Sequence, residues 1–291
     1  MLSPKLQALL IGELSWRRLG RSVAFVYIVV TVYIFFRADS MMFLPPPPSY
    51  RDGPDILKVP VNDRETISAI YLPQKKLQQK KLQQKDRSSK NAQTTILYIH
   101  GNASDLGQIR PWLFQLHNWG YRVFAYDYRG YGTSDGTPSE TKAYEDAEAA
   151  YQYLTQTLRV APRDILVYGK SLGGGSATEL ARRHPVGGVI LESTFTSAFR
   201  VVLPIPVFPF DKFPNRSKLA QVRSPILVIH GQNDRTIAWS HGQELYAAAP
   251  GIKRSLWIAG ADHDDLSEVA GDRLRQSLDE FAALVATNAT P

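Results

Sequence analysis

The sequence predicts an α/β fold in which helices cover both faces of a mostly parallel central sheet. From residue 94 onward, short apolar segments of strand length alternate with longer segments whose apolar residues have helical spacing. Such alternation is typical of a parallel sheet, because each pair of parallel strands is joined by a crossover helix that packs on one face. The predicted strands are residues 66–72, 96–100, 122–126, 165–168, 188–191, 226–230 and 255–258, and the predicted helices are residues 105–118, 139–158, 172–183, 239–249 and 266–285.

Composition limits the partners that this chain can have. The chain has 291 residues, enough for one large α/β domain, and a formal net charge of +7. The basic excess lies in residues 1–40 and 74–93, so the rest of the chain is slightly acidic and offers no basic face for the phosphates of a nucleic acid. The absence of Cys excludes disulfides, thiolate metal sites and attachment through lipidated cysteines.

An uncharged run near the N-terminus indicates a membrane anchor. Residues 22–36 are rich in Val, Ile, Phe and Tyr and follow Arg17, Arg18 and Arg21. As a helix the run spans roughly 22 Å, so flanking residues must extend it across a hydrocarbon core of roughly 30 Å. The run also resembles the apolar part of a signal peptide, but the small-x-small triplet that follows it, Ala38-Asp39-Ser40, is a poor cleavage site. We therefore expect residues 1–44 to be an uncleaved single-pass anchor, with the basic flank in the cytoplasm and the rest of the chain on the non-cytoplasmic side.

The remaining chain divides at its proline residues and at a repeat. Four consecutive prolines predict a Pro-rich linker at residues 45–55, which is followed by a main domain at 56–286. Residues 74–93 include Lys-Lys-Leu-Gln-Gln twice in tandem, which indicates a basic low-complexity insertion between two strands. Two interpretations stay open for this insertion, a solvated loop and a contact with anionic lipid headgroups.

Ser171 lies in the motif that carries the predicted chemistry. Residues 169–173 read Gly-Lys-Ser-Leu-Gly and stand between a predicted strand and a predicted helix. G-x-S-x-G in that context is the nucleophile elbow of the α/β-hydrolase fold. The turn holds its serine in a strained backbone conformation, and the glycines let the strand and the helix approach each other. The sequence therefore predicts a serine hydrolase with Ser171 as the nucleophile.

A serine nucleophile needs a base and an acid, and the chain supplies both in the expected order. Asp234 follows the predicted strand 226–230, and His263 follows the predicted strand 255–258. His263 is predicted to take the serine proton and later return it to the leaving group. Asp234 is predicted to fix the tautomer of that histidine and to stabilise its charged form.

Other residues compete for these two roles. Glu192 ends the predicted strand 188–191 and is the alternative acid, although a structural hydrogen bond is the more usual role of a carboxylate there. His100 and His230 each end a strand before a glycine, and we interpret both as buried residues that brace turns.

Backbone N–H groups are needed to stabilise the oxyanion. The turn at residues 100–104 follows an early strand, where an α/β hydrolase places one donor. The backbone N–H groups of Asn102 and Leu172 are the predicted donors, with Ala103 as a substitute for Asn102.

A short lid is predicted at residues 195–222, between two strands where this fold commonly carries one. Its apolar, Pro-rich part at 201–210 either lines an acyl pocket or packs as a short cap on the core. No motif for a metal or an organic cofactor occurs in the sequence, so no cofactor is expected.

Several segments together resemble a known family. Residues 100–108 read His-Gly-Asn-Ala-Ser-Asp-Leu-Gly-Gln, and residues 126–132 read Tyr-Asp-Tyr-Arg-Gly-Tyr-Gly. With the serine motif and the two turns that supply the acid and the base, they resemble the α/β-hydrolase subfamily that contains membrane-associated protein depalmitoylases. The resemblance covers about residues 56–285. It implies hydrolysis of long-chain acyl thioesters or esters at a membrane, although those enzymes use lipidated cysteines where this chain has a hydrophobic run.

Three functional hypotheses follow. The first is a membrane-anchored serine esterase or thioesterase that acts on a small-molecule or lipid-like acyl substrate through an acyl-enzyme. The second is a serine aminopeptidase-like peptidase that uses the same catalytic triad. The third is a non-catalytic hydrolase fold that serves as a binding protein, which is disfavoured because nucleophile, acid, base and oxyanion turn are all present.

Overall fold

The computed structural model describes residues 16–74 and 93–288. Most of the predicted basic insertion at 74–93 therefore lies outside the described residues. The chain divides into two compact units, Met1–Met41 and Met42–Pro291.

The first unit contains one long helix, α1 (Trp16–Met42), which ends where the second unit begins. Its 27 residues span about 40 Å, longer than the run predicted from the sequence. Its most apolar stretch has a mean hydropathy of 1.9 and none of it is buried, so the helix is long and apolar enough to cross a membrane.

The second unit is built on an eight-stranded, mostly parallel sheet, as the sequence predicts. The strands are β1 (Leu57–Pro60), β2 (Thr66–Leu72), β3 (Thr95–Ile99), β4 (Arg122–Tyr126), β5 (Ile165–Lys170), β6 (Gly188–Glu192), β7 (Ile226–Gly231) and β8 (Lys253–Ile258). In the order β1-β2-β4-β3-β5-β6-β7-β8, only β2 pairs antiparallel with its neighbours, β1 and β4. All other neighbouring strands pair in parallel.

Helices cover both faces of this sheet. The helices are α2 (Leu106–Asn118), α3 (Glu140–Gln152), α4 (Gly173–Arg183), α5 (Asn215–Leu219), α6 (Trp239–Ala248), α7 (Leu266–Ala270) and α8 (Asp272–Asn288). One face packs against α2, α7 and α8, and the other packs against α3, α4, α5 and α6.

The central strands are buried on both sides, which explains their continuous apolar sequence. Val167 and Val189 point into the core on the α3–α6 face, whereas their neighbours Leu166 and Ile190 point into the core on the other face. The buried strands thereby hold their carboxyl ends at one rigid edge, which is where α/β sheets bind ligands.

Some elements differ from the sequence prediction for local physical reasons. The continuous helix predicted at 266–285 is divided into α7 and α8, because Gly271 has a φ of 53° that an α-helix does not accommodate. The helix predicted to reach residue 158 ends as one π-helical turn, Tyr153–Thr157. Strand β1 and the short helix α5 were not predicted at all.

The Pro-rich segment at 45–55 differs most from its prediction as a linker. It is packed within the second unit instead of being free, since Ser49 and Tyr50 make side-chain hydrogen bonds to buried carboxylates of that unit. Prolines prevent this segment from forming a helix but do not prevent it from docking in an extended conformation.

We expect Ile190→Ala to lower the free energy of unfolding by about 2–5 kcal/mol, because the fully buried side chain leaves a cavity in the core. Chemical denaturation followed by tryptophan fluorescence measures the change. Val269→Ala is the control, since Val269 is 46% exposed and its truncation should change the stability by less than about 0.5 kcal/mol. Equal losses in the two variants would contradict this assignment of the core.

Candidate active site

Ser171 lies in the sharp turn between β5 and α4, with a backbone φ of 52°. This left-handed conformation is disfavoured for a residue with a Cβ atom, so the turn needs support. The Ser171 N–H donates to the carbonyl oxygen of Glu192 at 2.8 Å, and the Thr194 hydroxyl donates to the carbonyl oxygen of Ser171 at 2.6 Å. The half-buried serine side chain consequently stands at the carboxyl end of the sheet.

Two glycines make this turn sterically possible. A Cβ atom at Gly173 would overlap the carbonyl group of Ile99 in β3, and one at Gly169 would overlap the backbone at the start of α4. The strand and the helix therefore meet at a distance that other residues do not permit. This is the geometry that the G-x-S-x-G motif predicts.

The structure brings together the three side chains that the sequence predicts. Nε2 of His263 lies 3.1 Å from Oγ of Ser171, and Nδ1 of the same ring lies 2.8 Å from Oδ2 of Asp234. The side chain of Asp234 is fully buried, and that of His263 is 11% exposed. The three residues come from different loops at the same sheet edge. Ser171 follows β5, Asp234 follows β7 and His263 follows β8.

Asp234 is held as a carboxylate. Its burial raises the pKa of the carboxyl, but hydrogen bonds from His230, His263 and the backbone of Ile237 outweigh burial and hold the pKa well below its ordinary value. The Ile237 N–H donates to Oδ1 at 2.7 Å. An ionised Asp234 accepts the Nδ1–H of His263, which leaves Nε2 of that ring free to accept the serine proton.

The predicted oxyanion donors lie beside the serine. Asn102 lines the cavity at Ser171, and Leu172 opens α4 as its N-cap residue. Within the described part of the chain, neither backbone N–H donates to another protein group. The loop runs close to the serine at Gly101, where an added Cβ would lie 3.3 Å from Cβ of Ser171. The alternative donor, Ala103, has a φ of 55°.

Glu192, the alternative acid of the sequence analysis, does not contact the catalytic histidine. Its carboxylate accepts a hydrogen bond from the Tyr168 hydroxyl and lies 3.7 Å from Nζ of Lys170. It makes no hydrogen bond to His263, so the structure places it in the cavity wall.

A cavity of about 380 Å³ opens at the serine. Its lining includes both polar and aromatic side chains, among them Tyr98, Trp112, Lys170, Glu192 and Asp264. The apolar segment 201–210 of the predicted lid does not line this cavity, and Val202 and Ile205 are 76% and 65% exposed. Among residues 16–74 and 93–288, no group of three or more His, Asp or Glu side chains could hold a metal ion.

Comparison with known proteins shows the family of this chain. Residues 90–209 match the family described as serine aminopeptidase, S33. The chain is 40% identical over 196 residues to human alpha/beta hydrolase domain-containing protein 17B, an alignment that covers 65% of this chain and 68% of that protein. The chain belongs to this α/β-hydrolase family. It is also 40% identical over 195 residues to the mouse protein 17C of the family, covering 65% of this chain and 61% of that protein.

Solved structures agree on the α/β-hydrolase fold. An esterase from Pyrococcus furiosus has a TM-score of 0.62 at 19% identity, covering 82% of this chain and 98% of that chain. The protein Est1E from Butyrivibrio proteoclasticus with bound ferulic acid has a TM-score of 0.60 at 18% identity, covering 78% of this chain and 99% of that chain. At such low identity the likeness concerns the fold alone. The family and the fold together make the protein a hydrolase of the α/β type.

Two further residues support the site. His230 is buried and braces a turn, as the sequence predicts, since its Nε2 donates to the carbonyl oxygen of Ile237 at 2.8 Å. The same nitrogen lies 3.3 Å from Oδ2 of Asp234, and this contact with the carboxylate was not predicted. Thr194 supports the strained serine turn from the neighbouring strand end, and no local sequence pattern points to it.

We expect Asp234→Asn to lower kcat by about 10³-fold or more, because an amide no longer selects the histidine tautomer that accepts the serine proton. Steady-state hydrolysis of an activated acyl ester measures this loss. Glu192→Gln should stay within about tenfold of the wild type, since its side chain does not contact His263. A larger loss of kcat in Glu192→Gln than in Asp234→Asn would contradict the assignment of Asp234 as the acid and would favour Glu192 instead.

Proposed function

We propose that this chain is a membrane-anchored serine hydrolase that cleaves an acyl ester or thioester through an acyl-enzyme. The observation that carries the proposal is the hydrogen-bonded chain from Ser171 through His263 to the buried carboxylate of Asp234. Such a chain activates a serine hydroxyl, which is a weak nucleophile by itself. The two unengaged backbone N–H groups beside the serine supply the complementary donors for the oxyanion.

In the proposed first half-reaction, Nε2 of His263 takes the proton of Ser171 as Oγ attacks the acyl carbonyl carbon. The carbonyl oxygen becomes an oxyanion that accepts hydrogen bonds from the N–H groups of Asn102 and Leu172. Helix α4 begins at this position, so its positive end favours the same negative charge. The bond to the leaving oxygen or sulfur then breaks, and His263 returns the proton to that atom.

The second half-reaction releases the acyl group. His263 takes a proton from a water molecule, whose oxygen attacks the acyl carbonyl carbon of the ester formed on Ser171. The oxyanion forms at the same two donors, the bond to Oγ breaks, and the proton passes from His263 to Oγ. The products are a carboxylic acid and the free serine.

A lipid-like substrate at a membrane fits two further features. Helix α1 is long and apolar enough to span a bilayer, and Val202 and Ile205 in the second unit expose apolar side chains that suit a lipid surface. A hydrolase held at a bilayer meets acyl esters and thioesters of membrane components at high local concentration.

A peptidase is the second candidate, favoured by the match to the family described as serine aminopeptidase. The same serine, histidine and aspartate perform either reaction, because both pass through an acyl-enzyme. Product analysis with acyl esters and with aminoacyl amides distinguishes the two functions.

We expect a fluorophosphonate probe to label the wild-type chain and not Ser171→Ala, because the probe reacts only with an activated serine. Ser217→Ala is the control and should be labelled like the wild type, since Ser217 is an exposed residue of α5. Equal labelling of wild type and Ser171→Ala would overturn the proposed function.

The hydrolysis rates of acyl esters of increasing chain length then define the substrate. A sharp optimum at short acyl chains would reject a lipid substrate while retaining the mechanism.

We also expect α1 to hold the protein in membranes through a carbonate wash, with the catalytic unit on the non-cytoplasmic side. The double substitution Val29→Arg and Val30→Arg should release the protein from the membrane fraction, because each charge costs about 2.5–3.5 kcal/mol at the centre of a spanning helix. Val269→Arg, on the surface of the second unit, is the control and should stay in the membrane fraction.

A reporter fused after Val285 tests the orientation of the protein in the membrane. Activity of the reporter only in the cytoplasm would contradict the proposed orientation.

A further inference from the structure

The segment that follows α1 is fastened to the loop that carries the proposed oxyanion donor. We call residues 42–50 the strap. The side-chain amide of Asn102 is bonded through both of its polar atoms: Nδ2 donates to the carbonyl oxygen of Met42 at 2.5 Å, and Oδ1 accepts from the Leu44 N–H at 2.9 Å. Oδ1 also accepts from the Tyr131 hydroxyl at 2.6 Å, and that hydroxyl oxygen lies 3.0 Å from the Leu44 nitrogen. Strap and loop are thus joined through one amide.

A second fastening secures the other end of the same loop. The Ser49 N–H donates to Oδ2 of Asp105 at 2.6 Å, and the Ser49 hydroxyl donates to Oδ1 of the same carboxylate. Asp105 is fully buried and also caps α2 by accepting from the Gln108 N–H. The strap therefore holds the loop on both sides of its central residue, Ala103.

The strap is also anchored by two of its own aromatic side chains. Phe43 is 3% exposed, and its ring lies against the rings of Tyr128, Tyr131 and Phe213 at centroid distances of 6.1–6.4 Å. The hydroxyl of Tyr50 donates to Oδ2 of the buried Asp127 at 2.6 Å. A segment fixed by an aromatic side chain and a buried carboxylate is rigid enough to position what it binds.

The loop needs this external support because of its own conformation. Ala103, the residue after Asn102, has a φ of 55°, which is unfavourable for a residue with a Cβ atom. Such a conformation persists only where surrounding contacts impose it. The contacts that flank Ala103 are those of Asn102 and Asp105 with the strap.

We propose that the strap is a positioning element of the active site, which holds the backbone N–H of Asn102 at the carbonyl oxygen of the substrate. This inference rests on the proposed function. Tyr131 and the Asn102 side chain act as positioning groups, because they act on the reaction only through the placement of that N–H. An oxyanion donor is effective only at hydrogen-bond distance from the developing charge, so a small displacement lowers the rate steeply.

Two variants loosen the fastening and retain the backbone donor. Tyr131→Phe removes one hydroxyl from Oδ1 of Asn102, and we expect it to lower kcat by about threefold to tenfold. Asn102→Asp replaces the Nδ2 donor with an oxygen that faces the carbonyl oxygen of Met42, and we expect a loss of about 30- to 100-fold. Asp52→Asn is the control, since Asp52 follows the strap and contacts Thr133 and Lys58 instead of the loop. It should match the wild type.

The readouts separate positioning from stability. The full-length protein is assayed in detergent with kcat expressed per active site titrated with a fluorophosphonate, so an unfolded fraction does not lower it. KM should stay within about twofold, and the affinity for a trifluoromethyl ketone of the same acyl chain should fall by the same factor as kcat/KM, because both report binding of the oxyanion. Thermal unfolding of each variant is measured in parallel.

Three results would overturn the inference: wild-type kcat per titrated site in Asn102→Asp, a loss of kcat with undiminished affinity for the ketone, or an equal loss in Asp52→Asn. The proposed function fails by a different result, namely a wild-type chain that is not labelled at Ser171. A labelled and active wild type with unaffected strap variants refutes only the role of the strap.

Discussion

The strained turn at Ser171 is the constraint on which the rest of the site depends. A φ of 52° at a serine is retained because the strand ends around it are rigid: the Ser171 N–H is bonded to β6, and the Thr194 hydroxyl is bonded to the Ser171 carbonyl oxygen. The turn projects Oγ beyond the sheet edge, where loops from β7 and β8 deliver Asp234 and His263. Without that projection the histidine would have no hydroxyl within reach.

Electrostatics in the site follow from the same packing. Asp234 is buried, yet three hydrogen bonds keep its pKa well below the ordinary value, so it stays ionised throughout the neutral range. His230 contributes one of these contacts from a buried position with no solvent access. A charge that is fixed and shielded from water orients its neighbour more strongly than an exposed one does.

Local patterns in the sequence predicted those parts of the fold and the site that local physics determines. Strands such as residues 122–126 were predicted with their correct bounds, because the four buried residues that follow Arg122 are aromatic or aliphatic without interruption. Ser171 was predicted because strain at a nucleophile elbow requires glycines at fixed spacing. The division between α7 and α8 was missed, since a single glycine within a helical pattern is compatible with either outcome.

The strap was missed for a different reason. Its prolines indicate that the segment forms neither a helix nor a strand. They do not indicate which distant residues the segment contacts, such as Asn102, which accepts a hydrogen bond from Leu44 across 58 residues of sequence. Long-range hydrogen bonds of this kind depend on the completed tertiary structure. Residues 45–55 therefore look like a linker in the sequence and form part of the catalytic unit in the structure.

Detection of the acyl-enzyme tests the central claim most directly. The chain is mixed with an activated acyl ester, which makes deacylation rate-limiting, and the reaction is quenched with acid before the first turnover ends. Mass spectrometry of the digested protein should find the peptide that contains Ser171 heavier by the mass of the acyl group. Hydrolysis during which this peptide keeps its unmodified mass at every quench time, or an adduct on another residue, would contradict the account.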